Sequence, residues 1–237
     1  IRGPLDGRLR RGRTNAVHVE LPRGADPYRS AAQTFARWRR SGVLVAEASP
    51  AFYVLEQTYR VGGRLLRRTG VLAALGLDRG TASRVLAHER TLSKHKKDRQ
   101  RLIRAVKANT SPIFGVFADR SGSVTRLLAA AKRAKPLARG RDSGGLGLSL
   151  WRLDDPRATG ELERLLERET LLIADGHHRY AVGRAYWEAT RRKGAARLLA
   201  FLVSEKDPGL VVLPTHRVVE GTLALRRTLA RTCRVRP

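Results

Sequence analysis

Residues 171–186, LLIADGHHRYAVGRAY, gather the residue types best able to do chemistry. An apolar run ends at Asp175-Gly176, and His177, His178 and Arg179 follow at once. Val182, Ala185, Tyr186 and Ala189 stand at i, i+3, i+4 and i+7, which predicts a helix starting near His178. Arg184, Glu188 and Arg192 fall on its solvent side. The chemistry therefore sits at a strand-to-helix corner, and such a corner suits an anion. A helix's first turn has unpaired N–H groups and partial positive charge. Gly176 permits close backbone approach and a positive φ, and Arg179 adds a planar fork matched to phosphate oxygens. His177 and His178 can donate hydrogen bonds or move a proton near neutral pH. Asp175 can hold Mg²⁺ or take a proton from a substrate hydroxyl. The same residues also fit a plain capped turn, with Asp175 as cap. A zinc pair is disfavoured, because neighbours at i, i+1 diverge.

Two lesser groups share this pattern. Thr215, His216 and Arg217 follow the apolar run 210–213 and are expected to bind phosphate in the same cleft as the Asp175–Arg179 corner, unless they form only a capped loop. Glu89, in His88-Glu89-Arg90-Thr91, is a candidate catalytic carboxylate or a simple cap. The basic run 94–104 reads as the solvated face of a helix and has no aromatic residue for base stacking.

These residues need elements to position them. Asp26-Pro27 opens a helix with Tyr28, Ala31, Ala32, Phe35 and Trp38 at helical spacing and Gly42 as its stop. Residues 51–59 (AFYVLEQTY) predict a strand, Gly62-Gly63 a turn, and 65–77 its return. Ser93 caps a helix to Asn109 that buries Leu102, Ile103 and Val106. Residues 112–118 predict a short strand, and Ser121-Gly122 leads into a helix carrying Val124, Leu127, Leu128 and Ala131. A strand over 146–153 precedes Asp154-Asp155-Pro156, which caps a helix with Leu162, Leu165 and Leu166. Strands are further expected over 15–21, 171–174, 197–203 and 210–213, and a helix from Gly221. The alternation places the chain in a mixed α/β (α+β) class. The expected organisation is an irregular basic segment 1–14, a first part 15–134, a loop 135–145, a second part 146–220 and a basic tail 221–237. The two parts can equally form one continuous domain.

Composition narrows the setting. With 237 residues, 42% hydrophobic and 29% charged, the chain has an ordinary globular balance. No apolar run approaches the roughly 20 residues that span a bilayer, so no membrane partner is expected. Cys233 is the single cysteine, which excludes a disulfide framework and fits a reducing, cytoplasmic setting. The charge is +27, and all but eight of the 48 basic residues are arginine. Such a surplus attracts phosphate polymers, so nucleic acid is a candidate partner. The arginines are scattered through every segment, however, as codon bias would place them rather than a dedicated arm. Methionine is absent, which predicts a fragment of a longer chain.

Five segments carry a resemblance. AFYVLEQTY (51–59), VLAHERTL (85–92), ANTSPIFGVFAD (108–119), LLIADGHHRY (171–180) and LVVLPTHRVV (210–219) resemble, across residues 14–220, an uncharacterised prokaryotic family, domain-of-unknown-function family 1015. Its upstream Pro-Pro-Tyr-Asp segment is missing here. More remotely, the Asp-Gly-His-His-Arg corner is similar to the phosphate-binding corner of the ParB/sulfiredoxin superfamily, which includes a free-serine kinase. That resemblance implies a ParB/sulfiredoxin-like nucleotide-binding core and a phosphotransferase. The enzyme would use Mg²⁺ and ATP or ADP to phosphorylate a small hydroxyl compound such as serine. In that reading Asp175, His177, His178 and Glu89 are catalytic. Gly176, Arg179, Thr215, His216 and Arg217 hold phosphate. The alternative it implies is a non-catalytic nucleotide- or nucleic-acid-binding module.

Overall fold

The structure is a computed structural model that describes residues 4–89, 93–142, 144–214, 227–228 and 231. The described chain runs α1 (Pro4–Arg11), α2 (Val17–Glu20), α3 (Pro27–Arg40), β1 (Phe52–Val61), β2 (Arg64–Gly76), α4 (Arg79–Ala82), β3 (Val85–Leu86), α5 (Ser93–Val106) and β4 (Ile113–Phe117). It continues with α6 (Ser123–Ala131), β5 (Ala138–Arg141), β6 (Gly147–Leu153), α7 (Pro156–Leu166), β7 (Leu171–Asp175), α8 (His177–Thr190), a 3₁₀ turn Lys193–Ala195 and β8 (Arg197–Ser204). All eight strands join one mixed sheet in the order β3-β7-β4-β8-β2-β1-β6-β5. The fold is mixed α/β, and the sheet takes strands from both sides of residues 135–145.

Local chemistry explains most boundaries. The Asp26 carboxylate accepts from the Arg29 amide at 3.1 Å and Pro27 starts α3; Asp155 and Pro156 repeat the device at α7, with Ala158 N at 2.8 Å. Gly62 and Gly63 sit at φ 53° and 80°, the two positive angles that a tight β1–β2 hairpin requires. One face of the sheet forms the main core: Val54, Val71, Ile113, Ile173 and Leu202 meet Leu128 of α6, Leu162 of α7 and Tyr180 of α8. A second cluster of Val19, Ala31, Trp38, Leu102 and Val106 ties α2 and α3 to α5, which in turn packs on α8. Among the described residues no helix is long and apolar enough to cross a membrane.

Several expectations fail for identifiable reasons. Residues 4–11 are helical rather than irregular, because Asp6, nearly buried, binds Arg10 at 3.0 Å one turn on and Arg23 at 2.6 Å. The strand expected over 15–21 is the single turn α2. Asn15 Oδ1 accepts from the Val17 amide at 3.0 Å and starts the turn, and Val17 and Val19 are both buried from it. The loop 135–145 contains β5, which is fully exposed and held to β6 by main-chain pairing that an Ala-Arg-Gly-Arg pattern does not announce. Residues 210–213 form no strand, and Val212 is 91% exposed. The one-turn α4 and two-residue β3 were not expected at all; the Asp78 carboxylate builds α4 by accepting from the Thr81 amide at 3.0 Å. Helix α5 stops at Val106, followed by Lys107 at φ 57°. The helix expected from Gly221 lies almost wholly outside the described residues.

Candidate functional site

Three strands deliver the site to one end of the sheet. Asp175 ends β7, and Gly176 turns the chain into α8. Antiparallel β4 pairs Phe114 with Asp175, so Thr110 and Ser111, which lead into β4, lie beside the corner. Parallel β3 pairs Val85 and Leu86 with Leu171 and Leu172, and the chain beyond it carries His88 and Glu89 the same way. Helices α2 and α5 add Glu20, Asp98 and Arg99. A cavity of about 310 Å³ opens there, lined by Glu89, Asp175, Gly176, His177, His178 and Arg179, and also by Glu20, Asp98 and Arg99.

Gly176 is needed twice over. Its φ is +95°, and a Cβ there would stand 2.9 Å from both Arg179 Nε and Ile113 Cγ2. The Arg179 guanidinium therefore lies directly over the glycine. Its Nη2 binds the Asp175 carboxylate, its Nη1 donates to Ser111 Oγ at 3.4 Å, and its Nε is buried without a partner. Asp175 thus pairs with Arg179 and does not cap α8. Gly176 occupies the cap position and offers no side chain to the first-turn amides, unlike Asp26, Asp78 and Asp155 at their helices.

Behind Arg179 stands Glu20. Its carboxylate accepts from Arg99 Nη1 at 2.8 Å, from Ser111 Oγ at 2.9 Å and from Thr110 Oγ1. Asp98 accepts from Tyr28 Oη at 2.9 Å and pairs with Arg99 Nε at 3.2 Å. Sequence reasoning missed Glu20, Asp98, Arg99, Thr110 and Ser111. Residues 108–111 stand within a segment that carries the family resemblance, which was the available signal for Thr110 and Ser111. Nothing in the spacing marks Glu20.

His177 points inward. It is 3% exposed; Nδ1 lies 3.2 Å from Glu89 Oε2, the His88 ring meets it edge-on at 4.6 Å, and Nε2 is buried without a partner. Burial lowers its proton affinity below the usual histidine value, a pull that the Glu89 carboxylate opposes and His88 reinforces. His177, held toward its neutral form, thus keeps Nδ1 facing the Glu89 carboxylate. Near pH 6.5 and just below, the unfolded chain binds a proton that the native chain refuses. Stability contributed by His177 is complete above that pH, falls as the pH drops toward the native value, and levels off below it. Urea midpoints at about pH 7.5 and about pH 5.5 should show the loss, and His177→Asn should reduce it. An equal loss in the variant would assign it to other groups.

Six of the expected site residues, Glu89 and the five from Asp175 to Arg179, border one cavity. Thr215, His216 and Arg217, expected to share a cleft with the corner, lie outside the described residues. Among the described residues no group of three histidine, cysteine, aspartate or glutamate side chains is placed to hold a metal ion.

No curated protein and no solved structure matches the chain. A family model described as protein of unknown function (DUF1015) matches residues 6–236, close to the whole length. The chain with this Asp-Gly-His-His-Arg corner therefore belongs to the DUF1015 family.

Proposed function

We propose that the corner binds the phosphates of a nucleotide, ATP or ADP, and transfers a phosphoryl group to a small hydroxyl compound such as serine. The observation that carries this reading is the uncapped first turn of α8. It opens on a polar cavity beside a guanidinium whose Nε has no partner. Helix N-termini attract phosphate through their first-turn amides and the helix dipole. The remote resemblance to ParB/sulfiredoxin-like nucleotide binders points the same way.

The lining also limits what binds. Four carboxylates face two guanidiniums there, and His177 is held toward its neutral form. A bare phosphate meets net negative charge, so the nucleotide would arrive as its Mg²⁺ complex. Mg²⁺ usually takes one or two carboxylates and completes its shell with phosphate oxygens and water. Asp175, 72% exposed, is the carboxylate that would serve. Glu89, 60% exposed and oriented by His177, would take the acceptor hydroxyl's proton as its oxygen bonds phosphorus and the terminal phosphoanhydride bond breaks. His178 and Arg179 would bear on the charge that develops.

Calorimetric titration of ATP and of ADP, each with Mg²⁺, tests the reading. Arg179→Ala should weaken binding about 10- to 150-fold, the equivalent of roughly 1.5–3 kcal/mol for a charged hydrogen bond. Arg179→Lys should recover only part, since an ammonium lacks the fork. Equal affinity in wild type and Arg179→Ala, or no binding of either nucleotide, would contradict it.

A further inference from the structure

A second cavity, of about 270 Å³, lies toward the opposite ends of β7 and β4, where Leu171 and Phe117 stand. It forms where the end of α7, the short helix α4 and the last residues of β2 meet. Its floor is apolar, built from Phe52, Ala73, Leu75, Phe117 and Leu202.

The polar part of the lining has an unusual balance. Glu163 comes from the last turn of α7, Glu167 is its C-cap and Glu169 lies just beyond; Arg84 and Arg197 supply the opposite sign. Asp78 is spent on Thr81. Among the described residues, none of these three glutamates and two arginines has an ion-pair partner. The chain holds 48 basic and 21 acidic residues, so a lining in which carboxylates outnumber arginines stands against its overall charge. They also stand at the end of a helix where the dipole already disfavours anions. Both effects reverse if an ammonium group occupies the cavity, because the helix C-terminus and the glutamates then act together.

We infer that this cavity binds a small zwitterion with an apolar body, of the chemical class of a free branched or aromatic amino acid. The apolar body covers the floor, the ammonium meets the glutamates, and the carboxylate meets Arg84 and Arg197. The volume lies at the small end of ligand pockets, which suits a molecule of that size. This site does not depend on nucleotide binding at the α8 corner.

Calorimetric titration of the full chain with leucine and phenylalanine tests the inference, with phenethylamine and 3-phenylpropionate as probes carrying one charge each. The amino acids should bind, and each single-charge probe should bind about tenfold more weakly or worse. Glu163→Gln and Arg197→Gln, both at exposed positions, should each weaken amino-acid binding about two- to fivefold at unchanged melting temperature. Ala73→Leu, which fills the floor, should abolish it. No binding of either amino acid, equal binding of all four probes, or unaltered affinity in both charge variants would overturn the inference.

Discussion

Gly176→Val should be among the most destabilising single substitutions at this site, costing about 2–6 kcal/mol. Two independent penalties add. A β-branched residue at φ +95° carries backbone strain of roughly 1–3 kcal/mol. Its Cβ would also stand 2.9 Å from Ile113 Cγ2, a side chain with no exposure in the core, and such crowding costs roughly 1–3 kcal/mol more. Arg179 Nε at the same distance belongs to a longer side chain and can move, but only by leaving Asp175 and Ser111. Gly122→Ala is the control. It has φ +67°, yet the nearest atom to its Cβ is the Nη1 end of Arg126 at 3.3 Å, so only the conformational cost of roughly 1–2 kcal/mol applies. For a chain of this size each kcal/mol moves the melting temperature by roughly 2–4 °C. Thermal melts of the two variants should therefore separate clearly. Equal losses would show that Ile113 and Arg179 yield freely.

Glu20→Ala should cost about 2–3 kcal/mol and alter the behaviour of Arg179 from across the site. Ser111 Oγ and Thr110 Oγ1 lose their carboxylate acceptor together, and Arg99 Nη1 loses one of two acceptors, since it also donates to the Glu20 carbonyl at 3.2 Å. Arg99 keeps Asp98, which limits the loss. Ser111 is the link, since it donates to Glu20 and accepts from Arg179. A double-mutant cycle between Glu20→Gln and Arg179→Lys should therefore show a coupling above the roughly 0.3–0.5 kcal/mol expected of independent positions. Additive unfolding free energies would mean that the hydroxyl does not connect them.

The elements legible in the sequence were those that carry their own local signals. Asp26-Pro27 and Asp155-Pro156 mark helix starts by cap chemistry, and Gly62-Gly63 marks the hairpin by its allowed backbone angles. Elements held by distant partners were not legible. Helix α1 depends on Arg23 as well as Arg10, and β5 shows only exposed side chains. Helix α8 lies between. Its extent followed from periodicity, but its buried residues are His177, Tyr180, Val182 and Gly183, while Ala189 of the expected stripe is exposed. Gly183 packs its bare Cα side against Leu198, a contact that no hydrophobicity pattern records. At the site the same division holds. Asp175, Gly176 and Arg179 are contiguous and could be read together. Glu20 lies 90 residues from Thr110 and joins them only through the fold.

The central claim is that phosphate sits at the first turn of α8, and backbone amide spectroscopy tests it most directly. With uniformly ¹⁵N-labelled protein, Mg²⁺-ADP and Mg²⁺-ATP should shift the amide resonances of Gly176, His177, His178 and Arg179 most strongly, and Arg179→Ala should shrink those shifts at equal nucleotide concentration. Shifts centred on another part of the chain, or an unchanged spectrum at saturating nucleotide, would contradict the account.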